Sequence, residues 1–286
     1  MTRLFGILGH PVSHSLSPAM HTAALRAMRL DAFYTPFDVP PRFLEPVVRA
    51  LELAGVDGLN VTVPHKQHIL RHLDPQRGVA SEAKAIGAVN TLVRKEGRFV
   101  GHNTDVEGFR RALKEDLGCN CRDQQVVLLG AGGAARAVGW ALLSMRPRTI
   151  FVVNRTPARA AQFVHWLQAS SSGGMITTVP FERRAVSRLL EHSTLLVNAT
   201  TLGLRPKDPL PVDPQAIHKR LAVFDLVYRR PTTALVRAAR ARGALAIDGI
   251  PMLLYQGAES LRLWLRREPP IRVMRHALER AVRAMS

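Results

Sequence analysis

The sequence predicts an α/β protein of two domains, an N-terminal α/β domain and a second domain built on a doubly wound parallel sheet. Its 286 residues are enough for two domains of about 100–200 residues each. Short apolar segments alternate with segments of helical length along most of the chain, which is typical of βαβ units. A glycine-rich turn between a strand-like and a helix-like segment, at residues 126–138, indicates the doubly wound sheet.

The first third of the chain begins with RLFGILG, which is short, apolar and ends in glycine, so it predicts a buried strand. Two more strands, AFYTPFDV and GLNVTVP, alternate with helices expected at residues 17–30, 42–53 and in SEAKAIGA. The segment AVNTLVRKEGRFVGHNTD predicts a β-hairpin with its turn at Glu96 and Gly97. A helix is expected to follow from about Val106 to Asp116.

A second α/β series fills the remainder of the chain. Its predicted strands are QQVVLLG, TIFVVN, MITTVP, TLLVNAT, LAVFDLV and ALAIDG. Its predicted helices are residues 133–145, 157–168, 182–191 and 232–242, and two arginine-rich helices at about 251–267 and 271–284. The segments SSSGG and LRPKDPLPVDP are expected to be loops, the second too long for a turn.

The net charge of +18 does not by itself indicate nucleic-acid binding, because the arginines are spread over the whole chain. Arginine pairs stand in separate segments, at residues 110–111, 183–184, 229–230 and 266–267. Aromatic residues make up only 6% of the chain, which is few for stacking on bases. A basic balance suits small anionic ligands, so we expect a small-molecule substrate and no nucleic-acid partner.

The sequence also bears on compartment and metal binding. It contains no run of roughly 18 uninterrupted apolar residues and no signal-peptide pattern, so we expect no membrane association and a cytoplasmic location. Cys119 and Cys121 are one residue apart and form no disulfide framework. His65, His68 and His72 recur at helical spacing beside apolar residues and without a carboxylate, which favours a helix face over a metal site.

The segment VVLLGAGGAARAV, at residues 126–138, carries the strongest motif. Gly130, Gly132 and Ala135 follow a predicted strand and begin a predicted helix, in the spacing G-x-G-x-x-A. The glycines let backbone amides approach a pyrophosphate, and the start of the helix favours its negative charge. The alternative is a glycine-rich packing turn. We predict a Rossmann-type domain that binds a dinucleotide.

The end of the next strand indicates which dinucleotide binds. An acidic residue about 20 residues after the glycines is typical of NAD sites, whereas arginine there accommodates the 2′-phosphate of NADP. This strand ends in Asn154, Arg155 and Thr156, Arg159 follows, and no acid is present. NADP is therefore favoured over NAD, with an ordinary surface arginine as the alternative interpretation of Arg155.

Two polar segments follow extended segments in the first third, N-V-T-V-P-H-K at residues 60–66 and G-H-N-T-D at 101–105. Hydride transfer to a ketone leaves a developing alkoxide that needs a proton. A lysine and a carboxylate converging on that oxygen supply general acid-base catalysis, and Lys66 and Asp105 are the candidates. A solvated lysine and an ordinary helix-capping Asn-Thr-Asp cluster are the alternatives.

The segment GHPVSHSLSP, at residues 9–18, contains more hydroxyl groups than a helix start needs. Ser17 precedes Pro18 and is expected to be the N-cap of the first helix. Ser13 and Ser15 are then surplus, and they follow the first strand, where open α/β sheets bind ligands. Ordinary turn serines are the alternative.

Taken in order, the motifs resemble those of the shikimate and quinate dehydrogenase family. The first five are G-x-P-x-x-H-S-x-S-P-x-x-H from Gly9, N-V-T-V-P-x-K from Asn60, G-A-V-N-T from Gly87, G-x-N-T-D-x-x-G from Gly101 and G-A-G-G-A from Gly130. The other four are N-R-T-x-x-R from Asn154, N-A-T-x-x-G from Asn198, D-L-V-Y from Asp225 and G-x-x-M-L-x-x-Q from Gly249. The resemblance runs from the first strand to the penultimate helix.

The resemblance implies an NADP-dependent oxidoreductase that reversibly reduces 3-dehydroshikimate to shikimate in aromatic amino acid (chorismate) biosynthesis. It implies a substrate domain of residues 1–106 with 249–286, a Rossmann NADP-binding domain of residues 107–248 and a cleft at their junction. The implied catalytic pair is Lys66 and Asp105, and the implied substrate ligands are Ser15, Ser17, Thr62, Asn90, Asp105, Tyr228 and Gln256. The implied NADP ligands are Gly130, Ala131, Gly132, Gly133, Ala134, Asn154, Arg155, Thr156, Arg159, Leu226, Gly249 and Met252.

One departure and several alternatives remain open at this point. His65 stands where the family has an apolar or aromatic residue, and its charge is expected to lower the pKa of Lys66. The alternatives are a paralogue that acts on quinate or an aminoshikimate or uses NAD, and a non-catalytic ligand-binding or nucleic-acid-binding protein. The sequence leaves a homodimer and a monomer equally open.

Overall fold

The computed structural model describes residues 2–74, 76–171, 173–205 and 207–284. The chain divides into two compact units, the first of Met1–Gly108 with Leu253–Met285 and the second of Phe109–Met252. The predicted boundaries lie after residues 106 and 248, and the observed ones lie after Gly108 and Met252. Within the described residues, no helix is long and apolar enough to cross a membrane.

The first unit contains a five-stranded mixed sheet in the order β2-β1-β3-β4-β5. Its strands are β1 (Arg3–Gly9), β2 (Ala32–Asp38), β3 (Gly58–Val61), β4 (Thr91–Lys95) and β5 (Arg98–His102). The first three are parallel, β4 is antiparallel to β3, and β5 is antiparallel to β4. The predicted hairpin is confirmed, with Glu96 and Gly97 at its turn in positive-φ conformations.

Six helices accompany this sheet. They are α1 (Ser17–Ala27), α2 (Leu44–Leu53), α3 (His65–His68), α4 (Ser81–Ile86), α10 (Ile250–Leu265, in this unit from Leu253 onward) and α11 (Ile271–Arg283). The C-terminal helices complete the N-terminal unit: the α10 residue Trp264 stacks on Phe5 of β1 with ring centroids 5.0 Å apart. Its indole N–H donates to the backbone oxygen of Leu92 at 2.9 Å.

The second unit contains a six-stranded parallel sheet in the order β11-β10-β9-β6-β7-β8. Its strands are β6 (Gln125–Leu129), β7 (Thr149–Val153), β8 (Met175–Val179), β9 (Leu195–Asn198), β10 (Ala222–Asp225) and β11 (Ala246–Ile247). Its helices are α5 (Asp105–Arg111, in this unit from Phe109 onward), α6 (Gly133–Ser144), α7 (Pro157–Ala169), α8 (Arg183–Leu190) and α9 (Ala234–Ala241).

This strand order confirms the predicted doubly wound sheet. The chain runs outward from β6 to β8 and then restarts on the other side of β6 with β9, so the order reverses between β6 and β9. All residues of β9 and β10 are buried, as expected of strands covered on both faces. Element ends differ from the predicted ones by at most three residues, except that the predicted helix 106–116 becomes a π-helical turn at Ala112–Asp116.

Candidate active site

Polar side chains of the first unit gather at one edge of its sheet. The parallel strands β1 and β3 both end there. Because β4 and β5 are antiparallel, Thr91 at the start of β4 pairs with Asn60 at the end of β3, and His102 at the end of β5 pairs with Thr91. The loops that carry Ser15, Lys66, Asn90 and Asp105 therefore emerge at the same edge.

Lys66 and Asp105 form an ion pair at this edge. Lys66 lies in α3 and Asp105 begins α5, and the Nζ to Oδ2 distance is 2.7 Å. The lysine side chain is 20% exposed and the aspartate side chain 6% exposed, so the ammonium keeps access to solvent while the carboxylate is enclosed. This arrangement places a proton donor that can be reprotonated beside a fixed carboxylate, as general acid-base catalysis requires.

The side chain of Asn90 fixes the other oxygen of Asp105. Asn90 Oδ1 accepts the backbone N–H of Thr104 at 2.7 Å, which determines the orientation of the amide. Asn90 Nδ2 then donates to Asp105 Oδ1 at 2.9 Å and to Gln256 Oε1 at 3.2 Å. Each carboxylate oxygen of Asp105 thus has its own donor, and Gln256 of α10 is drawn into the same cluster.

Ser15 lies in the loop after β1 and Ser17 is the first residue of α1, and the predicted capping role of Ser17 is wrong. The helix α1 begins at Ser17 itself, with the helical residue Leu16 at the cap position and no side-chain cap. The helical conformation extends back to Leu16. The Ser17 N–H donates to the hydroxyl oxygen of Ser15, at 3.3 Å. Ser17 is buried, and its hydroxyl contacts the phenol of Tyr34.

Thr62 is half-buried in the loop after β3, beside the serine loop. Its methyl group lies where a side chain at Gly9 would project, because a Cβ atom at Gly9 would fall 2.4 Å from Thr62 Cγ2. Glycine at this position allows the loops after β1 and β3 to approach each other closely.

His65, next to Lys66, does not carry the expected charge. His65 is fully buried, its Nε2 lies 2.7 Å from the backbone oxygen of Val39, and burial lowers its pKa. The ring is therefore neutral near neutral pH, and the expectation of a charged His65 beside Lys66 is wrong. His72, further along the same segment, has its Nδ1 atom 3.5 Å from Glu45 Oε2. The described part of the chain contains no group of three or more His, Cys, Asp or Glu residues placed to hold a metal.

In the second unit, the glycine-rich turn joins β6 to α6 at the point where the strand order reverses. Gly130 has φ +107°, and a Cβ atom there would lie 2.9 Å from the backbone oxygen of Ala199, so a side chain is excluded. Gly132 is the N-cap of α6 and supplies no side-chain cap. Apart from the chain neighbours and the adjacent helix backbone, no atom of the described residues lies within 4 Å of where a Cβ would stand on Gly132 or Gly133.

The start of α6 therefore fits an anionic group. Its N-cap residue offers no side-chain acceptor to the first backbone amides, and its first turn carries no acidic residue. The positive end of the helix dipole and the open space over Gly132 and Gly133 both suit a pyrophosphate.

The end of β7, the neighbouring strand, presents basic and polar groups. The segment runs Asn154, Arg155, Thr156 and, one turn into α7, Arg159, and the last three are exposed. Asn154 Nδ2 donates to the backbone oxygen of Thr156 at 3.0 Å, which holds the turn. Two guanidinium groups in the absence of a carboxylate suit a phosphate monoester.

The segments after β10 and β11 pack against each other without space for a side chain. A Cβ atom at Gly249 would lie 2.1 Å from the backbone oxygen of Leu226, and the Gly249 N–H donates to Val227 O at 3.2 Å. Met252 is buried a turn further on, and burial raises the pKa of Tyr228, which keeps its phenol protonated. Tyr228 belongs to the second unit, whereas the other candidate substrate ligands belong to the first.

Sequence reasoning missed several buried polar residues around these sites. In the first unit they are Tyr34, Asn60, Thr91, Thr104 and Ser260, which hydrogen-bond to one another or to the residues above. Asn60, Thr91 and Thr104 stand inside motifs that the sequence displays, so a signal existed. Tyr34 and Ser260 sit in an apolar strand and an apolar helix, where nothing local marks them.

The second unit has a buried acidic residue that was also missed, Asp225 at the end of β10. Its Oδ1 accepts from Asn198 Nδ2 at 2.8 Å and from the Val227 N–H at 3.2 Å. Asn198 Nδ2 also donates to Leu202 O at 3.0 Å, so this pair holds the segments that follow β9 and β10. Burial of its charged form, with Asp248 nearby, raises the pKa of Asp225 to about 6.

The chain has a doubly wound sheet, and at the point where its strand order reverses, α6 begins with glycines and without a side-chain cap. These features place it among the Rossmann-type α/β proteins, a class that binds dinucleotides. Models of three sequence families match it: shikimate dehydrogenase substrate binding domain at residues 7–92, shikimate / quinate 5-dehydrogenase at 112–201, and shikimate 5′-dehydrogenase C-terminal domain at 249–279. The chain belongs to the shikimate dehydrogenase family.

Similar proteins cover nearly the whole chain. Shikimate dehydrogenase (NADP(+)) of Methanopyrus kandleri is 42% identical over 97% of this chain and 95% of its own. Shikimate 5-dehydrogenase of Thermus thermophilus, solved in complex with NADP(H) and shikimate, is 39% identical with a TM-score of 0.86, covering 98% and 100% of the two chains. Quinate dehydrogenase of Corynebacterium glutamicum in complex with NAD is 32% identical with a TM-score of 0.89, covering 98% and 99%.

The raised pKa of Asp225 predicts a stability that decreases as pH rises. The folded state binds this proton more tightly than the unfolded state, so the contribution to stability is complete below about pH 4 and is lost as pH rises through about 6. The loss amounts to about 3 kcal/mol at most. Asp225→Asn is always neutral, so its unfolding free energy relative to the parent should rise between pH 4.5 and 7.5 in urea titrations.

Asp213→Asn is the matched control for this experiment. Hydrogen bonding from the Gln215 N–H and from Arg183 lowers the pKa of Asp213. Removal of this carboxylate should therefore lower the unfolding free energy above about pH 4, and lower it less in more acidic solution. A relative stability of Asp225→Asn that is flat or falls with rising pH would contradict the assignment of a raised pKa.

Proposed function

We propose that the chain catalyses the reversible NADPH-dependent reduction of 3-dehydroshikimate to shikimate, a step of aromatic amino acid biosynthesis. The observation that carries the proposal is the Lys66–Asp105 pair, 2.7 Å apart and braced by Asn90, in a member of the shikimate dehydrogenase family. The pair supplies what ketone reduction requires of the protein, namely a proton for the developing alkoxide and a carboxylate that orients the reacting group.

Substrate recognition is assigned mainly to the first unit. Ser15 and Ser17 bind the shikimate carboxylate through neutral hydroxyl groups, which select by hydrogen-bond geometry. The assignment of Tyr228 to the same carboxylate stays a prediction. The ring hydroxyls are bound by Thr62, Asn90, Asp105 and Gln256. The support is their position in the family motifs, together with the hydrogen bonds that already join Asn90, Asp105 and Gln256.

The proton steps are assigned to Lys66 and Asp105. NADPH, when bound, supplies the hydride to the carbonyl carbon of the substrate. Lys66 donates a proton from Nζ to the carbonyl oxygen as negative charge develops there, and solvent reprotonates it through its exposed side. Asp105 accepts a hydrogen bond from the substrate hydroxyl and keeps the ammonium in place. In the oxidative direction Lys66 takes the proton back.

Cofactor binding is assigned to the second unit. The amides of the turn at Gly130, Ala131, Gly132, Gly133 and Ala134 bind the pyrophosphate at the start of α6. Asn154, Arg155, Thr156 and Arg159 bind the adenosine 2′-phosphate, for which exposed guanidinium groups and the absence of an acid at the end of β7 are the support. Leu226, Gly249 and Met252 are assigned to the nicotinamide end, which they would contact when NADP is bound. A cytoplasmic location and the choice between monomer and homodimer stay predictions.

A quinate dehydrogenase that uses NAD is the second candidate. It is favoured by one observation, the likeness to the quinate dehydrogenase solved with NAD. The retention of both Ser15 and Ser17, and the presence of Arg155 without an acidic neighbour, argue against it.

Steady-state rates with two substrates and two cofactors test the proposed function. We expect the purified chain to oxidise shikimate with NADP at a higher kcat/KM than shikimate with NAD or quinate with either cofactor. The reason is that the predicted ligands match a 2′-phosphate and a shikimate carboxylate. Dominant turnover of quinate with NAD would replace the proposal by the second candidate, and absence of turnover in all four assays would overturn both.

The cofactor assignment predicts a selective effect of Arg155→Ser. Removal of one guanidinium from a phosphate site costs about 1.5–3 kcal/mol, so the KM for NADP should rise on the order of tenfold or more. The KM for NAD, which lacks the 2′-phosphate, should change less than twofold. Arg146→Ser, an arginine change in the same unit outside the motifs, is the control. Equal losses with both cofactors would contradict the assignment.

A further inference from the structure

Ser260 is a fully buried hydroxyl in the middle of α10, four residues after Gln256 and therefore on the same face of the helix. Its Oγ donates to the Gln256 backbone oxygen at 3.0 Å. It also accepts from Asn60 Nδ2 at 2.9 Å and lies 2.8 Å from Thr91 Oγ1 and 3.1 Å from Thr104 Oγ1. The side chain of Ser260 thus contacts the end of β3, the start of β4 and the segment after β5.

The two threonines that meet Ser260 also hold Asn90. Thr91 Oγ1 donates to Asn90 Oδ1 at 3.1 Å, and Thr104 Oγ1 accepts from Asn90 Nδ2 at 2.9 Å. Thr104 and Thr91 are both buried, so each depends on protein partners for its hydrogen bonds. The hydroxyl of Ser260 therefore completes the surroundings of the amide that orients Asp105.

We propose that Ser260 is a positioning residue of the reaction, acting through Asn90 and Gln256 and not by contact with substrate or cofactor. Its hydroxyl ties α10 to Asn60, Thr91 and Thr104, and thereby fixes the place of Gln256 relative to Asn90 and Asp105. The inference rests on the proposed function, because it assigns Asn90, Gln256 and Asp105 to the substrate and proton steps.

The chemistry of the cluster explains why a hydroxyl is needed. Ser260 uses its proton on the Gln256 carbonyl, and its lone pairs remain for Asn60 Nδ2 and the Thr104 hydroxyl. In Ser260→Ala, Asn60 Nδ2 and the Thr104 hydroxyl lose this acceptor. The Thr104 hydroxyl then turns toward another acceptor, and Asn90 Oδ1, 3.2 Å away, is the one it already contacts.

The test is steady-state kinetics of Ser260→Ala with shikimate and NADP. We expect kcat to fall about tenfold, because small misplacement of a catalytic group has effects of this order, with the KM for NADP within twofold of the parent value. Ser193→Ala is the matched control, since Ser193 is also buried and its Oγ also donates to the backbone oxygen four residues earlier, at 2.7 Å, but it lies in the second unit. It should leave kcat unchanged.

Thr91→Val removes the opposing hydroxyl with little change of shape and provides a second measurement. If both residues act through one cluster, it should lower kcat similarly, and the double variant should lose little more than either single one. A kcat within twofold of the parent value in either folded variant, multiplicative losses in the double variant, or an equal loss in Ser193→Ala would overturn the inference. An inactive parent chain would instead overturn the proposed function.

Discussion

The hydrogen bond from the Thr104 backbone N–H to Asn90 Oδ1 is the interaction on which the arrangement of the first unit depends. Because Oδ1 is occupied by this donor, Asn90 Nδ2 must point toward Asp105 and Gln256. The second oxygen of Asp105 is then left for Lys66. The topology makes this possible, since the antiparallel β4 and β5 bring residues 90 and 104 to the edge where β3 ends. The strand order thus brings together the residues that orient Asp105 for its ion pair with Lys66.

The second unit obeys a comparable constraint at Gly130. The reversal of strand order places the end of β9 beside the end of β6, and the Ala199 carbonyl leaves no room for a side chain at Gly130. The glycine turn then leads into α6 with uncapped amides that suit an anion. In this unit the hydrogen bond from Asn198 to Asp225 joins the segments that follow β9 and β10, and it requires a buried carboxyl group. Both units therefore use buried polar side chains to fix the loops at their sheet edges.

Local patterns were enough to predict the strands and helices, the doubly wound sheet and the glycine turn, because apolar periodicity and glycine placement are local properties. The capping role of Ser17 was wrong because the helix extends one residue further back than Pro18 indicates. The charge of His65 was wrong because its burial depends on Val39, 26 residues away. Ser260 could not be predicted, since its partners are 156–200 residues distant in sequence and its helix is apolar.

The central claim is that the Lys66–Asp105 pair performs the proton chemistry, and Asp105→Asn tests it most directly because the shape is kept and the charge is lost. We expect kcat for shikimate oxidation to fall by a factor on the order of 10²–10⁴, with the NADP dissociation constant unchanged by titration calorimetry. Asp123→Asn, at an aspartate whose side chain is 85% exposed, should retain full activity. A kcat of Asp105→Asn within threefold of the parent value, in a folded variant that binds NADP, would contradict the account.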